Sequence, residues 1–255
     1  MHPDSTFALR LLLLFVASLW AGAQNQLAGG GSFITLPALI LTGMDARAAN
    51  ITSTVALFPG QVTGGWIGRK LVTGAERLSF RALVIISLVG GGVGAVLLLL
   101  TPSRFFAHLV PWLVLFATVA FAWGSFGRKP QASDRAISPI LAGVIQFCIA
   151  IYGGYFGGGI GFLMLAALAL ARLPVKAAGA TKNVLAGVMN FTAVLIFLFS
   201  GQVRWIACAV SCIGAILGSI VGARVLHRVP DKALRVVVVL VGLALTVGLF
   251  LRGPG

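Results

Sequence analysis

Charged residues are rare in this chain, which argues against an ordinary soluble domain. Charged side chains make up 9% of its 255 residues, hydrophobic ones make up 59%, and the mean hydropathy is +1.04. Apolar runs of about 20 residues recur along the sequence, whereas ten-residue segments of alternating polarity are absent. The composition therefore predicts an all-α polytopic membrane protein embedded in the lipid bilayer.

Acidic residues are scarcer still, and none is expected deep in an apolar run. The five are Asp4, Asp45, Glu76, Asp134 and Asp231, each in a loop or at a segment end. Cation sites and proton relays in membranes usually depend on buried carboxylates. Their absence from the apolar runs argues against cation transport and favours a small anionic ligand.

Histidine and cysteine are too few for an intramembrane enzyme or a metal site. The chain contains His2, His108 and His227, and Cys148, Cys208 and Cys212. There is no HExxH motif and no buried aspartate pair, and the cysteines lie in apolar segments where a disulfide framework is not expected. We therefore predict no enzymatic activity, no catalytic residues, no metal and no cofactor.

Basic residues give a net charge of +14, but they lie in short clusters between apolar runs. Such clusters indicate membrane topology. No RNA-binding motif or aromatic-interleaved basic patch accompanies them, so we predict no nucleic-acid partner.

The apolar runs divide into eight long segments and two short ones, the latter either crossing or re-entering the membrane. The long runs cover residues 9–28, 47–68, 79–100, 106–126, 138–156, 178–200, 203–224 and 232–251, and the short ones 32–43 and 160–171. A cleaved signal peptide is the alternative for the first run, because Ala21-Gly22-Ala23 follows it. Against cleavage, it would remove the apolar segment before the first glycine triplet, whereas the second half of the chain keeps the corresponding segment.

Two glycine triplets interrupt hydrophobic stretches at equivalent places in the two halves of the chain. They are Gly29-Gly30-Gly31 and Gly157-Gly158-Gly159. Glycine costs a helix interior about 1 kcal/mol relative to alanine, and broken helices in a bilayer are tolerated where protein or a polar cavity satisfies the backbone. A matched pair of breaks is typical of a transporter's binding site. The alternative is that the glycines only allow close helix packing.

A second shared element shows that the halves are repeats. The segment from Arg47 to Ser53 matches that from Lys176 to Lys182, with a basic residue, two alanines and then a threonine in common. We predict a first transmembrane repeat at residues 1–127, a cytoplasmic linker at 128–137, and a second repeat at 138–255. Each repeat contains about five segments.

The distribution of basic residues predicts that the repeats are inverted. If each short run changes side, the loops at 69–81, 127–137, 172–176 and 224–235 share one face and hold 13 of the 19 Lys and Arg residues. Arg10, Arg47, Arg104, Arg204 and Arg252 then lie on the other face. The positive-inside rule places the first face in the cytoplasm.

Glycines at helical spacing also predict close packing between helices. Gly214, Gly218 and Gly222 form a small-residue ridge, and Gly90 with Gly94 forms a shorter one. We interpret these positions as structural.

The glycine triplets predict an anion site, because a helix that restarts after a break presents free N–H groups and the positive end of its dipole. Ser32 is expected to cap the first restart. Polar residues duplicated in mid-chain add further candidates. These are Asn50, Thr52 and Ser53 in the first half, Thr181, Lys182 and Asn183 in the second, and Gln61 and Asn190 at matching positions.

Lys182 is the most informative of these candidates. It lies about two turns into a predicted membrane helix, where a cation is costly and usually faces a pore or a partner. A lysine that extends towards the membrane surface is the alternative.

The motifs around the breaks resemble those of the sulfite exporter TauE/SafE family. The resemblance rests on residues 26–39 with their glycine triplet, on Ala49-Asn50-Ile51-Thr52-Ser53, and on Ala180-Thr181-Lys182-Asn183 followed by Asn190. It covers nearly the whole chain. It implies a permease of two related halves that handles sulfite, sulfonates or related anions across a bacterial inner membrane. The second repeat has Leu165 where the first has Pro37, so the two breaks need not bind equally.

Together these features predict a secondary transporter for a small sulfur-containing anion, with its site between the two breaks. Transport of small carboxylates, a passive anion channel and a membrane scaffold without transport are the alternatives. The identity of the anion, the direction of transport, the coupling ion and homodimer formation are left open.

Overall fold

The computed structural model describes residues 3–27, 29–74, 78–126, 138–171, 173–225 and 231–252. Within those ranges the chain folds into ten α-helices and a short 3-10 helix at Arg69–Leu71. The helices are α1 (Pro3–Leu27), α2 (Ser32–Leu41), α3 (Ala46–Gly68), α4 (Phe80–Leu100), α5 (Ser103–Phe126), α6 (Pro139–Tyr155), α7 (Ile160–Leu170), α8 (Val175–Leu198), α9 (Trp205–Val225) and α10 (Asp231–Arg252). The predicted linker at 128–137 lies outside the described residues.

Five of the described helices are long and apolar enough to cross a membrane. They are α1, α4, α5, α8 and α9, while α2, α6 and part of α10 form shorter apolar helices. The all-helical, multi-pass class predicted from composition is confirmed. The predicted number of eight long spans is not confirmed by the helices that the structure describes. Helix α3 is 23 residues long, but it carries polar side chains at Asn50 and at residues 52–54.

The outer surface of the bundle is apolar, and its interior combines a large set of buried apolar side chains with a smaller set of buried polar ones. Buried polar side chains include Thr52, Ser53 and Thr181, all fully buried. Large apolar side chains such as Trp123 and Ile140 are exposed on the outer surface. This arrangement suits a protein surrounded by lipid, because polar groups must find partners inside the protein.

The contacts between helices fix their relative directions. Along α1 and α9, Phe15 lies against Gly214 and Ala23 lies against Gly222, so these helices run parallel. Helix α3 also runs parallel to α9, since Arg204 contacts Thr52. Farther along the same pair, Gly60 contacts Ala215 and Ser219.

A second group of helices runs the opposite way. Helices α4 and α6 are parallel, because Gln146 Nε2 donates to Ser87 Oγ at 2.9 Å and Gly94 lies farther along against Tyr155. Helices α3 and α8 are antiparallel, with Gln61 bonded to Asn190 and Gly68 beside Ala180. Gly91 of α4 lies against Met189 of α8, and Gly92 lies against Thr192 and Ile196, so α4 and α8 are parallel. Helices α1, α3 and α9 therefore point one way, and α4, α6 and α8 point the other.

Each short helix folds back on the helix before it. Helix α2 is antiparallel to α3, since four residues join them and Thr35 Oγ1 lies 2.5 Å from Ser53 Oγ. Because α3 is parallel to α1, α1 and α2 form a helical hairpin. Its tip is the first glycine triplet, and the second triplet occupies the same place between α6 and α7.

The glycine ridges predicted as packing surfaces are confirmed. A Cβ atom at Gly218 would overlap the Leu19 carbonyl of α1, and one at Gly94 would overlap the Ile151 carbonyl of α6. Without a hydrophobic force between helices in lipid, such close backbone approach supplies van der Waals contact. The packing of α1 on α9 and of α4 on α6 therefore depends on glycine, which has no side chain, at these positions.

We predict that Gly218→Ala destabilises the protein although alanine favours helix. The new methyl group forces α9 away from α1, and overpacking of this kind costs about 1–3 kcal/mol. Thermal unfolding in detergent should show a clearly lower melting temperature than that of the unchanged protein. Gly248→Ala is the matched control, since nothing lies within 4 Å of its Cβ position. Equal melting temperatures for the two variants would contradict the packing role.

Candidate functional site

The tips of the two hairpins meet inside the bundle. A Cβ atom at Gly29 would lie 2.7 Å from Gly161 Cα, just past the second triplet. Gly157 faces the first hairpin and α3, where Ser32 Oγ and Thr54 Oγ1 would lie 3.7 and 3.8 Å from its Cβ. The sequence-based expectation that the two breaks approach one another agrees with this geometry.

The backbone at both tips requires glycine. Gly29 and Gly30 have φ angles of 82° and 84°, and Gly157 and Gly159 both have 76°. This left-handed region is strained for residues with a Cβ atom. The chain can therefore turn sharply at the tips and bring the two backbones close together.

Side chains at the end of α1 hold the first tip in place. Asn25 Oδ1 accepts a hydrogen bond from Gly31 N at 2.7 Å. Gln24 Nε2 donates to the Gly29 and Gly30 carbonyls at 3.4 and 3.5 Å. These bonds satisfy groups that the break would otherwise leave free.

The prediction that Ser32 caps the restarted helix is wrong. The N-cap residue of α2 is Gly31, no side chain caps it, and Ser32 is the first helical residue. A capping side chain acts from the N-cap position, one residue earlier. Asn25 binds the Gly31 N–H instead, and Ser32 is buried facing the second tip.

Lys182 lies at the place where the tips meet. Its side chain is 1% exposed, and Nζ donates to the Asn25 carbonyl oxygen at 3.2 Å. No carboxylate pairs with it among the residues that the structure describes. The alternative of a lysine extended to the membrane surface is therefore wrong, because the ammonium group points into the bundle.

A cavity of about 20 Å³ adjoins Lys182. Six predicted site residues line it, namely Gly29, Gly30, Gln61, Gly157, Lys182 and Asn183. Five further residues complete the wall, namely Asn25, Gln26, Ile160, Gly161 and Ala186. The space suffices for about one water molecule, so a larger ligand requires the tips to separate.

Gln61 is held at the cavity by the neighbouring helix. Asn190 Nδ2 donates to Gln61 Oε1 at 2.7 Å across the antiparallel pair of α3 and α8. Asn190 itself is buried, and its Oδ1 has no partner within the described structure. The two residues predicted at matching positions in the repeats therefore contact each other directly.

Four other predicted residues contact neighbouring elements and do not line the cavity. Asn50 Nδ2 donates to the Tyr155 carbonyl at the end of α6, at 3.1 Å, and Ser53 bonds Thr35. Thr52 Oγ1 accepts from Arg204 N at 3.2 Å, and Thr181 Oγ1 is 3.1 Å from both the N and O atoms of Thr73. Their part in substrate binding stays a prediction.

The remaining triplet glycines serve the turns themselves. A Cβ at Gly31 would meet Asn25 and the Ala21 carbonyl, and one at Gly158 would meet the Phe156 ring. Gly159 packs against Ala117 and Phe33. These three positions shape the tips but do not line the cavity.

Asn25 and Gln26 are cavity residues that the sequence reasoning missed. The signal that could have identified them is the polar run Gln24-Asn25-Gln26 at the end of an apolar helix, directly before the triplet. The described residues contain no group of three or more His, Cys, Asp or Glu side chains placed to hold a metal ion. The site offers one cation, side-chain amides and glycine backbone.

Comparison with known proteins gives concordant matches. The sulfite exporter TauE/SafE family matches residues 14–249. The chain is similar to "Probable membrane transporter protein ORF9" of Sinorhizobium sp, with 30% identity over 94% of this chain and 92% of that protein. It is also similar to "Probable membrane transporter protein YfcA" of Escherichia coli strain K12, with 26% identity over 97% and 92%. No solved structure matches significantly.

We predict that Gly29→Ala is more damaging than Gly43→Ala. Both glycines have a positive φ, so both variants incur about 1–2 kcal/mol of backbone strain. Only Gly29 adds a collision with the opposite tip, because nothing lies within 4 Å of the Cβ position of Gly43. Thermal unfolding in detergent measures the difference, and equal losses would show that the close approach of the tips carries no energetic weight.

Proposed function

The chain belongs to the sulfite exporter TauE/SafE family of membrane transporters, and we propose that it moves a small sulfur-containing anion across the bacterial inner membrane. The substrate is sulfite, a sulfonate or a related sulfur oxyanion, carried by secondary transport. The site lies between the two hairpin tips. The proposal starts from the finding that the chain is a multi-pass membrane transporter of this family.

The observation that carries the proposal is the buried charge of Lys182. A cation taken out of water is costly unless an opposite charge or good hydrogen bonds compensate it. Among the residues that the structure describes, one carbonyl oxygen is bonded to Lys182, whereas an ammonium group has three donors. An anion in the adjoining cavity would supply the missing negative charge.

The other cavity residues suit the oxygen atoms of such an anion. Gln61 and Asn183 bring side-chain amides, and amide N–H groups donate hydrogen bonds to oxyanions. Gly29, Gly30 and Gly157 leave the backbone at the tips accessible because they have no side chains. In this proposal Lys182 attracts the anion, and the amides and the backbone fix its orientation.

We further propose that the two halves are inverted repeats. Helices α1 and α3 run opposite to their counterparts α6 and α8, and α4 runs opposite to α9. The pairs α1 with α9 and α6 with α4 use the same kind of glycine contact. A two-fold axis in the membrane plane accounts for all of these relations.

Alternating access then requires the contacts at each end of the bundle to open in turn. At one end, Arg47 Nε donates to Gln202 Oε1 at 3.1 Å and its Nη1 to the Thr101 carbonyl at 2.7 Å. At the other end, Thr181 bonds Thr73. Both sets are formed together in this structure, so the small cavity is closed towards both ends of the bundle.

We predict that Lys182→Met lowers anion transport about 10-fold to 100-fold. This is the range expected when one hydrogen bond to a charged group is lost. Methionine keeps much of the side-chain volume but removes the charge, so folding should survive, and unfolding temperature in detergent checks this. Initial rates of sulfite uptake into proteoliposomes give kcat/KM.

Lys70→Met is the matched control, because Lys70 is exposed and lies outside the cavity. Its transport rate should equal that of the unchanged protein. Uptake that Lys182→Met leaves intact would remove Lys182 from the site.

A panel of sulfite, thiosulfate, sulfoacetate, taurine and small carboxylates identifies the preferred anion, since a true ligand raises the unfolding temperature by mass action. Flux that never saturates would indicate a passive channel.

The inverted arrangement predicts opposite sidedness for Lys70 and Arg204. Lys70 follows the end of α3, whereas Arg204 contacts Thr52 near its beginning. In a variant without Cys148, Cys208 and Cys212, a single cysteine at 204 should react with an impermeant maleimide in intact spheroplasts. A cysteine at 70 should react only after permeabilisation, as the positive-inside rule requires. Labelling of both from outside would overturn this topology.

A further inference from the structure

A large apolar crevice adjoins the small polar cavity. It lies between α3, α4 and α8 and has a volume of about 470 Å³, within the usual range for small-molecule pockets. Its apolar wall includes Phe58, Val62, Val84, Leu88, Val188 and Phe191. Gln61 and Asn183 line both the crevice and the polar cavity, so these two amides form a shared wall.

We propose that the cavity and the crevice form one site for an organic anion that carries an apolar substituent. The anionic head, a sulfonate or a carboxylate, binds Lys182 in the cavity, and the hydrocarbon part occupies the crevice. The inference rests on the proposed function and specifies its substrate class. A bare inorganic oxyanion would use only the polar part of this site.

Charge and shape together favour this occupant. Lys182 places a basic group on the polar side of the shared wall, and Arg69 places a second one at the rim of the crevice. The Arg69 guanidinium carbon lies 3.8 Å from the centre of the Trp66 ring, which keeps the arginine beside the apolar opening. A neutral hydrocarbon would gain nothing from either cation. An amphiphilic anion matches Lys182 with its head and the apolar wall with its chain.

The acyl chain of a membrane lipid is the competing occupant, because Val62, Trp66 and Phe191 at the crevice are partly exposed on the outer surface. A lipid chain would fill the crevice without using Lys182. The two occupants therefore differ in whether binding in the crevice depends on the charge in the cavity. Substitution of Lys182 and competition by uncharged alkanols therefore distinguish the two occupants.

The test is competition against sulfite uptake in proteoliposomes by n-alkanesulfonates from one to six carbons. Each methylene that enters the crevice should strengthen inhibition about threefold, the gain expected from burying most of one CH₂ group. Alkanols of the same lengths should not compete, because they have no charge for Lys182. Lys182→Met should abolish inhibition by every member of the sulfonate series.

Gly187→Leu fills the crevice and tests its role directly. Gly187 lines the crevice, and nothing lies within 4 Å of its Cβ position, so the Cβ of a leucine meets no neighbouring atom. This variant should lose the preference for hexanesulfonate over methanesulfonate. Gly179→Leu is the matched control on the same helix, since its Cβ position is equally open and it does not line the crevice. The control should keep the full preference.

The possible failures are distinguishable. Sulfite uptake that depends on Lys182 but shows no effect of chain length would overturn this inference and leave the proposed function intact. Alkanols that compete as well as sulfonates would assign the crevice to lipid and also overturn it. Absence of any Lys182-dependent anion uptake would overturn the proposed function and this inference together.

Discussion

The hydrogen bond from Lys182 Nζ to the Asn25 carbonyl is the interaction on which the centre of the molecule depends. The last carbonyl groups of a helix have no partner within the helix and carry the negative end of its dipole. Because α1 ends at Leu27, the Asn25 carbonyl is free to face the ammonium group. The glycine triplet therefore does more than turn the chain, since it also ends α1 where a buried cation needs an acceptor.

The end of α6, before the second triplet, is also bonded by a side chain of another helix, although from a different position of the repeat. Asn50 on α3 donates to the Tyr155 carbonyl at the end of α6, as Lys182 on α8 donates to the end of α1. One hairpin end is thus held by a neutral amide and the other by a charge. The two hairpin ends therefore differ electrostatically, and the cavity lies beside Lys182.

The sequence predicted the features that contrast with an apolar background. The triplets and Lys182 were recognisable because glycine and a cation are both unfavourable within a membrane helix, and the structure brings them together. Contacts that depend on helix pairing were not predictable in this way. Thr52 and Thr181 occupy equivalent places in the repeats, yet each bonds a connecting segment that no local pattern associates with it. The capping role of Ser32 was predicted wrongly for a related reason, because the side chain that bonds the tip, Asn25, comes from the preceding helix.

In the proposed function, the Asn25 carbonyl and the transported anion compete for Lys182. In the closed state the ammonium group attracts the end of α1 and so resists separation of α1 from α8. An anion in the cavity competes with the Asn25 carbonyl for the same three donors and weakens that attraction. Binding would then favour the separation of the tips that a ligand larger than one water molecule requires. A single buried charge could in this way link occupancy of the site to its opening, which two neutral amides at symmetric positions could not do.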